Sequence, residues 1–384
     1  MGRPVIIDLA RSPFGRGKET GVLRHVHPVD LVATLIEHLV GKHHLDGARI
    51  DDVLIGTSTP VAEQGGNIGR HAALAAGLPP SVPGMQLDRK CGSGQQAIEL
   101  AANGILAGTY DLVLAGGVEM MSRIPIRANR MGKDSLGPKL RARYPEGLPH
   151  QGISAELIAA RWGLDREVLD AFGLRSHQRA AAFADPFLVP FEGISADEGI
   201  RRDTSLERLA LLPPAFVDPA AKARFPEIDW RVTAGNSSQI SDGAAIALVA
   251  SEHAAKDLGL VARARILAST VVGDDPILAL TAVIPATRRL LSRGAHSLAE
   301  VGRFEVNEAF SAVVLAWARE LDVPLDKVNV HGGAIAFGHP VGASGPRLLG
   351  SLLVALEESG ERLGVQVMCE GGGMANAMLI ERLP

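Results

Sequence analysis

The 384-residue chain carries 39 basic and 43 acidic side chains, a formal charge of −4, and no block of like charge, which excludes a charge-driven nucleic-acid or membrane partner. Hydrophobic residues make up 46% and aromatics only 4%, with 43 glycines, which suits a closely packed α/β protein of two or three units and excludes an aromatic-lined nucleic-acid surface. Two cysteines in this length make neither a disulfide framework nor a thiolate zinc site, so a reduced, cytoplasmic protein without metal is expected.

The opening "MGRPVIIDLARSPFGRG" holds a strand-length apolar run rather than a leader, and no stretch reaches the ~20 apolar residues of a membrane span. Next come a helix in "PVDLVATLIEHLVGKH", a strand in "IDDVLIGTST", a helix in "GNIGRHAALAAGL" and a short strand in "GMQLDRK". "GSGQQAIELAANGILAG" reads as a helix whose apolar stripe is Ala97, Ile98, Ala101, Ala102, Ile105 and Leu106. "DLVLAGG" closes this unit as a buried strand, and the alternation predicts a mostly parallel sheet with helices on both faces. Residues 121–240 differ, being rich in Arg, Pro and turns around the helix pair "SAELIAARWGL" and "REVLDAFGLRSHQRAAAF". They read as an excursion from the first sheet, of the kind that forms a lid or ligand platform. The last third repeats strand–helix order: "RARILASTVV", "IPATRRLLSRGA", "EVGRFEVNEAF", "SAVVLAWARELD", a glycine-rich loop, "SGPRLLGSLLVALEES" and "GVQVMCEGGG". "GSGQQAIELAANGIL" parallels "ASGPRLLGSLLVAL", which suggests a duplication or a chance match of two Gly/Ala-rich helices.

Four residues draw attention as chemistry. Cys91 follows a short strand and precedes Gly92-Ser93-Gly94 and a helix, whose free N–H groups are expected to lower a thiol pKa. A buried structural thiol is the bland alternative. His339 lies in "HGGAIAFGHPVGASG", longer than an ordinary strand–helix connection, whereas His25, His27, His43 and His44 sit in polar stretches and are expected to face solvent. Cys369 ends an apolar strand before three glycines whose N–H groups can face an oxyanion. Asn307 ends another strand, either as a helix cap or as a group that orients water or a carbonyl. All four fall at strand ends or strand-to-helix junctions, where a doubly wound sheet puts its site.

Together "CGSGQQAI", "VTAGNSSQISDGAAI", "VNEAF", "GGAIAFGHPVGASG" and "CEGGGMANA" resemble the thiolase family, in the family's order and over essentially the whole chain. The resemblance implies the thiolase fold: two duplicated doubly wound mixed-sheet halves packed in layers (αβαβα) with an inserted loop domain. The division expected is residues 1–120 plus about 241–262, a loop domain over 121–240 and a second half over 263–384. It implies thiolytic cleavage of 3-ketoacyl-CoA, or the reverse Claisen condensation. Cys91 matches the nucleophile, His339 its base, Cys369 the second acid/base, and Asn307 the residue that holds a water beside His339. The backbone N–H groups of Cys91 and Gly371 match an oxyanion hole. His150, Ala234, Ser238 and Phe310 match positions that contact or shape the path of the pantetheine. No permanently bound cofactor is implied; CoA and acyl-CoA are substrates, the only partners implied beyond a homodimer or a dimer of dimers.

The sequence also departs from the family pattern. His331 stands where Asn is common before "GGAIA", which would alter the loop or add a titrating group near the site, and Phe337 replaces a smaller aliphatic. "ADPFLVPFEG" is shortened, and "LALTAVIPA" lacks a Met-Gly-x-Gly-Pro run. A decarboxylating ketoacyl synthase would pair its Cys with two histidines, but Asn307 holds the second-His place; a non-catalytic acyl-CoA-binding relative would be expected to lose Cys91, His339 or Cys369.

Overall fold

The computed structural model describes residues 2–384. Its strands are β1 (Pro4–Arg11), β2 (Gly15–Arg16), β3 (Asp52–Gly56), β4 (Met85–Leu87), β5 (Leu112–Met120), β6 (Ser241–Ser251), β7 (Ala264–Gly273), β8 (Val301–Val306), β9 (Leu363–Glu370) and β10 (Met374–Arg382). The first-half helices are α1 (Pro28–Lys42), α2 (Ile68–Ala75) and α3 (Ser93–Ala107). Between β5 and β6 lie α4 (Gly137–Arg143), α5 (Gln151–Arg161), α6 (Arg166–Ala182), α7 (Leu206–Ala210) and α8 (Pro219–Arg224). The remainder are α9 (Glu252–Asp257), α10 (Val283–Gly294), α11 (Ser311–Leu321), α12 (Ala334–Phe337) and α13 (Ser344–Ser359).

The main sheet runs β4-β3-β5-β6-β1-β7-β10-β9-β8, with β2 pairing β6. The two half-sheets join edge to edge where Val5 and Ile6 of β1 pair with Arg265 and Ala264 of β7. Each half repeats one pattern. In the first, β5 is parallel to β3 and antiparallel to β6, which is antiparallel to β1. In the second, β9 is parallel to β8 and antiparallel to β10, which is antiparallel to β7. The counterpart of β4 is reduced to a single parallel bridge, Phe304 to Val328. This repeat supports duplication over chance. It also corrects the expectation of a mostly parallel sheet, because β6 runs antiparallel to β5 and β1, and β10 antiparallel to β9 and β7.

Side-chain alternation along β1 sorts the layers. Val5 and Ile7 join a core with α1 and α2 on one face, while Ile6 joins a second core on the other. That second core packs Ala97, Ile98, Ala101, Ala102 and Ile105 of α3 with Leu349, Leu352, Leu353 and Leu356 of α13, between the half-sheets. A third core covers the outer face of the second half with α10 and α11. Three cores between five layers give αβαβα. Leu106, expected in the α3 stripe, is 47% exposed, because it lies one residue past the Ile105 face.

The 121–240 excursion leaves the first half but docks on the second. Ala155, Ile158, Leu169 and Phe172 of α5 and α6 bury into the core that holds Trp317 and Val314 of α11. Arg11 of β1 anchors its far end through buried ion pairs to Asp185 at 2.5 Å and Asp197 at 2.7 Å. No helix among the described residues is long and apolar enough to cross a membrane.

Candidate active site

Cys91 is held by a tight turn between β4 and α3. Asp88 Oδ1 accepts from the Lys90 N–H at 2.7 Å, and Ser93 Oγ accepts from Arg89 N–H at 2.8 Å while donating to Lys90 O at 2.6 Å. Lys90 takes a positive φ of 49°, which aims the next residue away from the strand line. Gly92, the N-cap of α3, has no side chain to satisfy the free N–H groups of the first turn. The thiol, however, is not acidified. Burial pushes it up, Cys369 and Glu370 add to this, and the Gly371 N–H opposes. The expected lowering fails because desolvation of an anion outweighs the partial charge of a helix end. Deprotonation here needs a base.

The His339 loop is pressed onto the first turn of α3 by glycines. A β-carbon on Gly94 would lie 2.2 Å from Gly342 O, and one on Gly345 would lie 2.4 Å from Gln95 N. Gly117 of β5 meets the same Gly342 carbonyl. Glu119 clamps the loop from the neighbouring strand, accepting from Gly342 N–H at 3.0 Å and Ser58 N–H at 2.9 Å. The His339 imidazole is buried, with Nδ1 2.5 Å from Ser344 Oγ. Ser344 donates its hydroxyl proton to Pro340 O at 2.9 Å, so it accepts from Nδ1–H and leaves the Nε2 lone pair free. Nε2 is buried without a partner among the described residues. Burial, and the Arg347 guanidinium, hold His339 down to about 4, so the ring is a neutral acceptor.

Cys369 and Asn307 face each other across β9 and the end of β8. Asn307 Nδ2 donates to Cys369 Sγ at 3.7 Å, and its Oδ1 is buried without a donor among the described residues. Asn307 is not a helix cap, since α11 begins at Ser311 with Phe310 as its N-cap. Burial pushes the Cys369 thiol up to about 11, with Asn307 opposing. Beyond it, Gly372 and Gly373 take φ of 92° and 79°, turning the chain between β9 and β10 so that the Gly371 N–H lies on the side from which it opposes the rise of the Cys91 thiol.

A second group forms a wall leading to this point. The His150 ring tilts against Phe216 at 5.5 Å, and Phe216 meets Phe310 edge-on at 5.8 Å. Ser238 N–H donates to Ala309 O at 2.9 Å, and Ala234 lies exposed on the turn just before it. Next to His150, Gln151 Nε2 lies 2.9 Å from where a Gly371 β-carbon would be, so the wall ends at the glycine loop. Ser344, Glu119, Phe216 and Gln151 were not singled out from sequence. Only Ser344 carried a local signal, lying in the same glycine-rich loop as His339.

Two expectations about the histidines change. His331 stacks on Phe183 at 4.0 Å and approaches Glu358 at 3.2 Å near the C-terminal end of α13. Fourteen residues from Ser344 to Glu358 at 1.5 Å each set it about 21 Å along the helix from the His339 contact, so it adds no titrating group at the site. His43 is only partly exposed, held 2.8 Å from the buried Asp8 carboxylate. Phe337 has a defined place: its ring lies under the guanidinium groups of Arg347 at 5.1 Å and Arg11 at 5.6 Å.

The chain matches the thiolase N-terminal domain over residues 4–253 and the thiolase C-terminal domain over residues 260–382. It is 41% identical over 400 residues to the steroid 3-ketoacyl-CoA thiolase FadA6 of Mycobacterium tuberculosis, covering 100% of this chain and 95% of that protein. It is 40% identical over 401 residues to a 3-ketoacyl-CoA thiolase of Erwinia tasmaniensis, covering 100% of both. The fold superposes on the crystal structure of the Bacillus anthracis acetyl-CoA acetyltransferase with a TM-score of 0.87 at 35% identity, covering 100% and 99% of the two chains. With both domains matched in order and relatives aligned from end to end, the chain belongs to the thiolase family and is a CoA-dependent acyltransferase.

Proposed function

We propose that this thiolase works through an acyl thioester on Cys91, with His339 as its base and Cys369 as the second acid/base. In the cleavage direction His339 Nε2 takes the Cys91 proton, and the thiolate attacks the 3-keto carbon of a 3-ketoacyl-CoA. The tetrahedral oxyanion faces the N–H groups of Cys91 and Gly371. The C2–C3 bond then breaks, and the acetyl-CoA enolate takes a proton from Cys369. Its thioester oxygen is met by His339 and a water on Asn307. In the second half, incoming CoA gives its thiol proton to the Cys369 thiolate and attacks the acyl group. Cys91 leaves and recovers its proton from His339. Condensation is the same path reversed.

The observation that carries this reading is the pressing of the His339 loop, its histidine with one nitrogen fixed and the other free, onto the first turn of α3 behind Cys91, with Cys369 facing Asn307 at the end of β9. A ketoacyl-synthase reading lacks its second histidine, because Asn307 stands there. His150, Phe216, Phe310, Ser238 and Ala234 are read as the pantetheine wall. The missing Met-Gly-x-Gly-Pro run, with relatives named for 3-ketoacyl-CoA and steroid 3-ketoacyl-CoA, favours acyl groups bulkier than acetoacetyl. We also read residues 1–120 with about 241–262, 121–240 and 263–384 as first half, loop domain and second half, in a cytoplasmic dimer or dimer of dimers. The deciding experiment is thiolysis of a panel from acetoacetyl-CoA to long-chain and ring-bearing 3-ketoacyl-CoA. Cleavage across the panel, fastest on bulky members, is expected; no cleavage of any member overturns the reading.

A further inference from the structure

The catalytic reading leaves one buried carboxyl beside the nucleophile unused. Cys369 and Glu370 are neighbours on β9 and so point to opposite faces of the sheet. Cys369 faces Asn307, and Glu370 faces the start of α3. A β-carbon on Gly92 would lie 2.0 Å from Glu370 Oε1, so this carboxyl packs directly against the residue after Cys91. Both its oxygens are buried and neither meets a donor among the described residues. Asn376 of β10 donates through Nδ2 to Gly92 O at 3.2 Å, and its Oδ1 is also buried without a donor. Acceptors left without donors are costly around a carboxylate but not around a carboxylic acid, which brings its own O–H.

We propose that Glu370 is a positioning residue for the Cys91 half-reaction: its carboxyl, carrying its proton, backs Gly92 and keeps negative charge away from the nucleophile and the oxyanion donors. This rests on the assignment of Cys91 proposed above. Glu370 immediately precedes Gly371 in sequence and touches the residue that follows Cys91. A charge there opposes both the Cys91 thiolate and an oxyanion held between the Cys91 and Gly371 N–H groups. The titratable and charged groups around it are Asp88, Arg89 and Cys91 on the connection before α3, Glu99 on α3 and Cys369 on its own strand; β10 offers the uncharged Asn376. Burial pushes the carboxyl up to about 8, with Arg89 opposing and Asp88 adding. Ionisation of Glu370 in mildly alkaline solution therefore slows acylation, because His339 is neutral throughout this range and takes the Cys91 proton during attack, so no other group of the step changes charge there.

The test is the rate at which acetyl-CoA acylates Cys91, read by intact-protein mass spectrometry across pH, in the native protein, Glu370→Gln and Glu99→Gln. Glu99 is a second buried acid, near Glu370 on α3 but bonded to Gln95 rather than packed against Gly92. The native rate is expected to fall about tenfold for one pH unit above the Glu370 value. Glu370→Gln keeps the shape without the charge and is expected to lose that fall, with a thermal melt close to native; Glu99→Gln is expected to keep it. An alkaline fall that survives in Glu370→Gln, or that vanishes instead in Glu99→Gln, overturns the inference alone. No acyl group on Cys91 in the native protein overturns the nucleophile assignment and this inference with it.

Discussion

His339 Nδ1 lies 2.5 Å from the Ser344 hydroxyl, which is itself committed to the Pro340 carbonyl at 2.9 Å. Five residues apart, the two side chains close the loop on itself and settle which ring nitrogen carries the proton. Ser344→Ala removes that acceptor and lets the ring turn or change tautomer. A positioned base contributes about 10²–10⁴-fold, so loss of its orienting partner is expected to lower kcat by roughly 10- to 100-fold. Steady-state thiolysis checks this; an unchanged kcat would show that packing alone orients the ring.

The two thiols are expected to fail differently. Cys91→Ser removes the thioester, so no acyl adduct should form with acetyl-CoA and turnover should stop. Cys369→Ala leaves the nucleophile, His339 and the Gly371 N–H in place. It should still be acylated at Cys91, while carbon–carbon exchange drops at least about 100-fold for want of the proton donor. Mass spectrometry of each variant beside condensation and thiolysis rates separates the steps. Loss of acylation in Cys369→Ala would mean that the two thiols do not divide the work.

The sequence was informative wherever a local pattern had one physical meaning. The alternation of apolar strands and helices places β5, α3, α13 and β9, and strand ends pick out Cys91, Asn307 and Cys369; His339, expected at a strand-to-helix junction, instead follows the short helix α12. It was silent where meaning came from through-space contact. Nothing in "GVEMM" shows that Glu119 clamps a loop 223 residues later, or that Phe216 bridges His150 to Phe310. The alternation alone does not show the antiparallel direction of β6 and β10, because a buried apolar strand reads the same in either direction, whereas the family resemblance implies the mixed sheet that is found. The direction of the Cys91 shift is not legible in sequence, because the helix start shows there and the desolvation of the sulfur does not.

The depressed His339 value has a consequence for pH dependence. An ordinary imidazole protonates near 6.5, whereas this ring, buried and facing the Arg347 cation, titrates at about 4. The acid limb of activity should therefore lie well below pH 6. Arg347 is itself buried on α13, its Nε unpaired and its guanidinium over Phe337. Arg347→Met removes a cation that disfavours protonated His339, so the acid limb should move up in pH. Its pH–kcat/KM profile checks the direction; a limb that stays or moves down would mean that burial alone sets the base.

The Arg11 cluster should fix how firmly the excursion is tied to the sheet. Its guanidinium pairs with Asp185 and, through two nitrogens, with Asp197 Oδ1 and Oδ2 at 2.7 and 2.9 Å; Asp197 Oδ1 also accepts from Phe14 N–H at 2.8 Å. Arg11→Met would leave two nearly buried carboxylates without their cation, a loss of about 3–5 kcal/mol for a broken buried pair. Burial works against the charge of Asp185, but Arg11 overrides it and holds the carboxyl below its usual 3.8. A depressed acid stabilises the fold above its unfolded value and loses that contribution as pH falls through the folded one. The native protein should thus lose this support only in strong acid, whereas Arg11→Met should melt lower already at neutral pH. In that variant Asp185 titrates upward, so mild acid should recover part of the deficit by neutralising it. Thermal melts of both proteins from neutral to acid pH check this: equal melting points at neutral pH, or a deficit that widens in mild acid, would show that the pair does not anchor the excursion.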